Sequence, residues 1–382
     1  MRKIFLWGYY GSKNVGDDLL LSLLLNFLSK YDNVKIQVVV SEIYKEYELY
    51  KNVDFLLLPG HKSSKRFIAL KNIILYIKAI KNNDLVIFGG GTSLFETDKT
   101  KFKPLITKYI IFLFNTILYK RPILHLGVGI GTVKTRIGKF CLKKILNNSD
   151  HINLREKESY IKALSLTKNT DKVSLGGDLA YLCSFTPKEK NVSYNIGISL
   201  FQYYGYISED NSKIGEFYDF CKRYIECILA KHNNVKIHLF SFQTDKGGKD
   251  EQFNLKLKSE IISTRLHFHP YDSNTIKFID NLKSMDLCIG MRLHFLIISV
   301  LHGIPILGLN YQPKIKNELL SLGLEELCFE LDDIFQTLPY IDMFLEGKGR
   351  FDLIYKNAFD QVILKNAQAY RILSDTLLPY IQ

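Results

Sequence analysis

Apolar runs of strand length return along this chain with helix-length segments between them, and they do so in two series. The first series is KIFLWG (3–8), KIQVVV (35–40), DFLLLP (54–59), DLVIFGGG (84–91) and PILHLGVGIG (122–131), followed by the shorter INLRE (152–156) and VSLGGD (173–178) around a helical SYIKALSL. The second is YNIGISL (194–200), VKIHLFSF (235–242), LHFHPY (266–271), MDLCIG (285–290) and IPILGLNY (304–311). Strands that read as unbroken apolar runs are buried on both faces, and parallel strands need crossover helices to reach one another. The rhythm therefore predicts an α/β protein with parallel sheets. Between the series lies TPKEKNVSY (186–194), polar, proline-bearing and without apolar period, which reads as a linker. With 382 residues, more than one hydrophobic core usually supports, the prediction is two doubly wound Rossmann-like domains facing across a cleft. Their expected bounds are 1–185 and 195–345, joined by 186–194 and followed by a helical extension, 346–382. Ligands of open α/β sheets bind outside the carboxyl ends of the strands.

Composition narrows the class. No apolar run reaches about 18 residues without a charge, so no transmembrane helix is expected. MRKIFLWGYYG has too short an apolar stretch for a signal peptide and reads as a first strand. Six cysteines without a CxxC pair, mostly inside apolar segments, suit a reducing cytoplasm and small hydrophobic roles. The formal net charge of +12 points to an anionic partner without choosing among nucleic acid, membrane and phosphorylated substrate. Nucleic acid is disfavoured, because the lysines are scattered through amphipathic segments and no zinc-finger, RNP or helix-turn-helix signature is present. No spacing suggests a metal site or a bound cofactor.

Three glycine clusters follow strands of the first series. In GYYGSKNVGDDLLL (8–21), Gly11 and Gly16 allow the backbone to turn and present N–H groups to a ligand, and Asn14 is either a turn former or a ligand contact. Asp17 and Asp18 open the helix that follows, where the macrodipole favours carboxylates, so helix capping and a substrate role both stand. GGGTSLFE (89–96) places Gly90, Gly91 and Thr92 at a strand end, and GVGIGT (127–132) closes the next strand. One such cluster is a close-packed turn; three on one sheet edge suggest a site. His125, inside an apolar strand, reads as a core histidine, and Asp178 as a turn residue.

Two arginines stand where a strand becomes a helix. Arg155, in LREKES, can reach a cleft or pair with Glu156 or Glu158. Arg292 and His294 open an almost wholly apolar helix that ends at Gly303 and leads through Pro305 into a strand. Free N–H groups, the positive end of the dipole, a guanidinium and an imidazole would share one pocket suited to phosphate or carboxylate. The competing reading pairs Arg292 with an acidic residue.

Together GYYGSKNVGDDLLL, GGGTSLF, GVGIGT, LREKES and above all GMRLHFLIISVLHGIPILGLNYQPKI give a sequence that resembles the polysaccharide pyruvyl transferase family from about residue 4 to about residue 325. The most specific part is RLH, an apolar helix, GIP, a strand, and a turn with Tyr311 and Lys314. GVGIGT departs from the family's GQSxGP-like pattern. The resemblance implies a GT-B-like fold and transfer of pyruvate from phosphoenolpyruvate, the donor substrate, to a sugar of a cell-surface polysaccharide or its lipid-linked precursor, as a ketal. It implies donor contacts for Arg292, His294 and Arg155; Tyr311 and Lys314 of the motif, and Asn14, Gly11, Gly16, Gly90, Gly91 and Thr92 of the glycine loops, are the expected further substrate contacts.

Such a reaction needs an acid for the enol carbon, a base for the sugar hydroxyl and cations for the departing phosphate. A histidine, with an ordinary pKa of about 6.5, suits the first, which assigns His294; Asp17 or Asp18 is the expected base. The alternative is a GT-B glycosyltransferase using a nucleotide sugar, and an idle scaffold is a third class. The apolar, lysine-edged stretches 65–81 and 103–121 read as sheet-covering helices whose Phe67, Ile73, Tyr76, Ile77, Tyr109, Phe112, Phe114 and Tyr119 would also suit peripheral contact with an anionic membrane, giving a cytoplasmic protein on the inner face of the cell membrane.

Overall fold

Leu85–Gly89 and Ile123–Ile130 are buried along their whole length, as strands covered by helices on both faces must be. A computed structural model describes residues 1–59, 65–96, 101–184, 194–205, 208, 210–244, 249–347 and 349–381, without the side chains of 65–67, 249 and 349–352. The expected linker lies outside the described residues except for Tyr194. The chain divides into two compact units: Met1–Ser12, Asp17–Leu182 and Ala367–Gln382 form the first, Lys13–Gly16 and Cys183–Asn366 the second.

In chain order the first unit carries β1 (Arg2–Trp7), α1 (Val15–Leu28, whose first two residues belong to the second unit), β2 (Val34–Val40), β3 (Val53–Leu57), α2 (Lys65–Asn82), β4 (Leu85–Gly89), β5 (Thr92–Leu94), α3 (Lys103–Phe114), β6 (Ile123–Ile130), α4 (Arg136–Asn147), β7 (His151–Leu154), α5 (Lys157–Leu166) and β8 (Val173–Leu175). A π-helical turn, Asn115–Tyr119, continues α3. The sheet order is β3-β2-β1-β4-β6-β7-β8, with β5 paired to β6, and the pairings are parallel. Chain order reverses between β1 and β4, so the loops after Trp7 and Gly89 flank the switch point. One face of the sheet packs Phe5, Trp7, Val86 and Phe88 against Ile80 of α2, Phe112 of α3 and Leu142 of α4. Tyr76 is stacked on Trp7 at 4.3 Å between centroids and Phe112 is fully buried, so these two of the proposed membrane aromatics are core residues.

The second unit carries β9 (Tyr194–Ser199), α6 (Ile214–Lys231), β10 (Val235–Ser241), α7 (Lys249–Glu260), β11 (Leu266–Pro270), α8 (Thr275–Lys283), β12 (Leu287–Gly290), α9 (Leu293–Leu301), β13 (Ile306–Asn310), α10 (Pro313–Ser321), β14 (Cys328–Glu330), α11 (Leu338–Leu345) and α12 (Gly349–Ile381). Its parallel sheet runs β11-β10-β9-β12-β13-β14, with the reversal between β9 and β12. Every α9 residue but His294 is buried, and each of its leucines and isoleucines contributes roughly 1.5–3 kcal/mol on burial. Gly303, at φ +68°, ends the helix as the sequence predicts. The last helix belongs to both units: through Asn366 it lies in the second, where Tyr355 receives Ile306 N–H at 2.8 Å, and from Ala367 in the first, where Tyr370 donates to Leu182 O at 2.8 Å.

All six cysteines are free thiols. Among the described residues no helix is long and apolar enough to cross a membrane.

Candidate functional site

In the second unit the site grows from the end of β12. Met291 N–H donates to Ser199 O at 2.9 Å, tying the end of β12 to the end of β9 at the switch point, and Arg292 then takes extended dihedrals as the residue before α9. Its guanidinium lies 4.2 Å over the Phe201 ring, donates Nε–H to Asp250 Oδ2 at 2.9 Å, and bonds through Nη2 to Asp250 Oδ1 and to Gln243 Oε1 at 3.4 Å. Arg292 is 17% exposed and Asp250 not at all. Burial pushes the Asp250 carboxyl up from its ordinary value, and the adjacent Arg292 charge pulls it back. The pocket thus holds an ion pair, as the competing reading of Arg292 had it. The cause is topological: α7 follows β10, and its first turn delivers Asp250 to the carboxyl edge of the sheet where Arg292 emerges.

His294, half-buried, occupies the first turn of α9, and its place is set by Gly16. A Cβ on Gly16 would come within 2.1 Å of His294 Nδ1, so only glycine admits the ring there. The Lys13–Gly16 segment is fixed to the second unit by Val15 N–H to Phe242 O at 2.9 Å and Thr244 N–H to Lys13 O at 3.0 Å, and Asn14 pairs with Gln243. Asn14 Oδ1 accepts Gly16 N–H at 3.0 Å, the turn-forming role. Tyr311 meets Phe201 edge-on at 5.0 Å, and Lys314 Nζ stands 5.7 Å from the Tyr311 ring, beside the start of α10.

In the first unit the glycine clusters do converge. Tyr10, after β1, donates its hydroxyl to Gly89 O at 2.8 Å; Gly90 N–H reaches Leu126 O at 2.8 Å, and Gly129 N–H reaches Gly91 O at 2.9 Å. Gly91 has φ +72°, and a Cβ there would lie 3.0 Å from Asp17 Oδ1. Asp17 is half-buried. Asp18 is fully buried, and its Oδ1 accepts Gly11 N–H at 2.8 Å. Its carboxylate holds the loop.

Arg155 is also engaged. Its side chain is 5% exposed, with Nη1 3.1 Å from Asp178 Oδ2 and Nη2 donating to Thr92 Oγ1 at 2.6 Å; Glu156 lies 4.0 Å from Nε. Asp178, 3% exposed, also accepts Ala180 N–H at 2.9 Å, so it serves both as the expected turn residue and as an ion partner. Arg155 is neither a surface arginine nor an open cation. It joins the Thr92 loop to the β8 exit. His125 is a core histidine, held to Ser149 Oγ at 2.9 Å, with its pKa lowered to about 3 chiefly by burial.

Sequence reasoning missed Asp250, Gln243 and Phe201, whose roles depend on loops far from Arg292 in the chain. It also missed Lys108: its amine donates to Ser93 O at 2.5 Å beside Thr92, and burial lowers its pKa to about 8. Among the described residues no group of three or more His, Cys, Asp or Glu side chains is placed to hold a metal ion.

Comparison with known proteins fits this geometry. The family model for polysaccharide pyruvyl transferase matches residues 14–313. The chain belongs to that family. As a member it is a transferase of polysaccharide modification. Among curated proteins none matches the sequence. The solved structures it resembles include a UDP-GlcNAc 2-epimerase from Neisseria meningitidis bound to UDP-GlcNAc, at TM-score 0.64 and 13% identity over 99% of this chain and 100% of that one. They also include a UDP-GlcNAc 2-epimerase from Methanocaldococcus jannaschii, at TM-score 0.59 and 12% identity over 89% and 92%. A glycosyltransferase from Rickettsia africae ESF-5 has TM-score 0.58 and 12% identity over 98% of each chain. At such identities the likeness is one of fold, and the fold is GT-B-like. The family match begins at Asn14 and ends at Pro313, so it takes in both the Gly16 turn and the Arg292–His294 helix start.

Proposed function

We propose that this pyruvyl transferase takes phosphoenolpyruvate as donor and forms a pyruvate ketal on a sugar of a cell-surface polysaccharide or its precursor, releasing phosphate. The observation that carries the reading is the placement of Arg292 and His294 at the start of α9, outside the carboxyl ends of β9 and β12. Helix N–H groups and a guanidinium there match a small donor that carries both phosphate and carboxylate. Asp250 and Phe201 hold the guanidinium in one orientation. Lys314 and Tyr311 are assigned to the same donor side.

The chemistry follows from the donor. His294 gives a proton to C3 of the enol, C2 gains oxocarbenium character, and a sugar hydroxyl adds to C2 while a base removes its proton. The C2–O bond to phosphate then breaks, phosphate takes up the proton held by the base as it leaves with the cations beside it, and a second hydroxyl of the same sugar closes the ketal. Its proton restores His294. Asp17 is assigned the acceptor hydroxyl, since Asp18 is committed to Gly11. Arg155 and Thr92 are assigned to shaping the loop beside Asp17.

The test is to incubate the chain with glycan acceptors and either phosphoenolpyruvate or a nucleotide sugar. Inorganic phosphate released only with the former, together with an acid-labile pyruvate on the glycan, supports the proposal. Nucleotide release from a sugar nucleotide would replace it with glycosyl transfer.

A further inference from the structure

The charge of this protein is concentrated in one place. Residues 65–82, 103–121 and 136–147 contain thirteen Lys and Arg and no Asp or Glu, whereas the rest of the chain has 38 basic residues against 39 acidic ones and is close to neutral. These segments are α2, α3 with its π-helical turn, and α4, which lie side by side on one face of the first unit's sheet. Their inner residues form the core described above. Their outer residues alternate cations with uncovered apolar groups.

On α2, Leu70 and Ile74 are exposed alongside Lys71 and Lys78. The π-helical turn after α3 presents Ile117 at 62% and Leu118 at 57% exposure, next to Lys120. On α4, Ile137 and Phe140 are exposed among Lys139, Lys143 and Lys144; Phe140 meets Tyr109 of α3 edge-on at 5.8 Å, which joins the two helices' rims. Single exposed apolar side chains need no explanation, but a patch spanning three helices does. A face that mixes exposed apolar groups with exposed lysines matches a surface with both anionic headgroups and an apolar interior. Nucleic acid would meet the lysines yet offer nothing to Ile117 and Leu118.

We infer that the outer face of α2, α3 and α4 seats the protein on a bilayer bearing anionic lipids, with Ile117, Leu118 and Phe114 entering the interface and the surrounding lysines lying over headgroups. Since none of these helices is long and apolar enough to span a membrane, the attachment is peripheral. The structure also corrects which residues make it: Tyr76 and Phe112 face inward, Phe67 lies outside the described side chains, and Leu70, Ile74, Ile117 and Leu118 take their place. The inference does not depend on which donor the enzyme uses.

The experiment is co-sedimentation of the full chain with vesicles of phosphatidylcholine alone or mixed with phosphatidylglycerol, at low and high salt. Binding is expected only to the mixed vesicles and should weaken sharply as salt screens the headgroups. A basic residue near an anionic surface contributes about 1 kcal/mol, so the variant K71E/K78E/K143E/K144E should lose more than about tenfold in partitioning. I117S/L118S should reduce binding at low salt while leaving the melting temperature unchanged. The inference is overturned if the protein stays in the supernatant with anionic vesicles at low salt, or if the charge reversals leave partitioning intact. A dimer that I117S/L118S dissolves would assign the face to a second copy and equally overturn it.

Discussion

Arg155 and Arg292 look alike in the sequence and differ in the fold. Each follows a parallel strand, precedes a helix and pairs with a buried aspartate, Asp178 for one and Asp250 for the other. The Arg155 side chain is 5% exposed and bound to Thr92 as well as its carboxylate. Arg292 is 17% exposed, lies over an aromatic ring, and stands beside His294 at a helix N-terminus. The same local pattern therefore serves two ends: a fastener for glycine loops in the first unit, and an oriented cation at the switch point of the second. Burial separates them, and burial is set by the elements packed around the strand end.

The largest effect that could break this contrast is on stability. Arg155→Ala leaves Asp178 buried without its cation, and losing one partner of a buried pair typically costs about 3–5 kcal/mol. Denaturant titration should show a loss of that size. A change within about 0.5 kcal/mol would mean that Arg155 is not a fastener at all.

Next in size is an effect on turnover. Gly16→Ala places a methyl group where His294 now lies, and the ring must move. A displacement of about 1 Å at a reacting group can cost on the order of 100-fold. The ratio of pyruvyl transfer to donor affinity should fall accordingly, because donor binding rests on Arg292. Equal losses in both would make His294 a binding group alone.

The two adjacent aspartates give the smallest and most discriminating pair. Asp18→Asn weakens the charged bond from Gly11 N–H, and hydrogen bonds to charged groups are worth about 1.5–3 kcal/mol, so thermal melting should register a loss at or below that range. Asp17→Asn should leave melting nearly unchanged and depress turnover. The reverse pattern would move the acceptor role to Asp18.

What the sequence displayed and what it concealed divide along physical lines. Twelve strands were readable because parallel strands buried on both faces are unbroken apolar runs. Thr92–Leu94 and Cys328–Glu330 were not: each has three residues, too few to carry a period, and neither reads as an apolar run. The helix start at Arg292 and its end at Gly303 follow from local chemistry, and both were legible. The partners were not: Asp250 opens a helix where acidic residues are commonplace, and nothing near it points to Arg292. Gly16 reads as one more glycine of a turn until His294 is seen against it. Lys108 reads as one lysine among many on an apolar helix, and only packing reveals its enclosed amine.

The central claim is that the donor is held at Arg292 in the second unit and not at Arg155 in the first. Calorimetric titration of phosphoenolpyruvate into the full chain, Arg292→Lys and Arg155→Lys decides it. Lysine keeps the charge and loses the planar fork. The account predicts binding to the unmodified chain, a loss of about tenfold or more in Arg292→Lys, and affinity within about threefold in Arg155→Lys. Undiminished binding in Arg292→Lys, with binding lost in a folded Arg155→Lys, would contradict it.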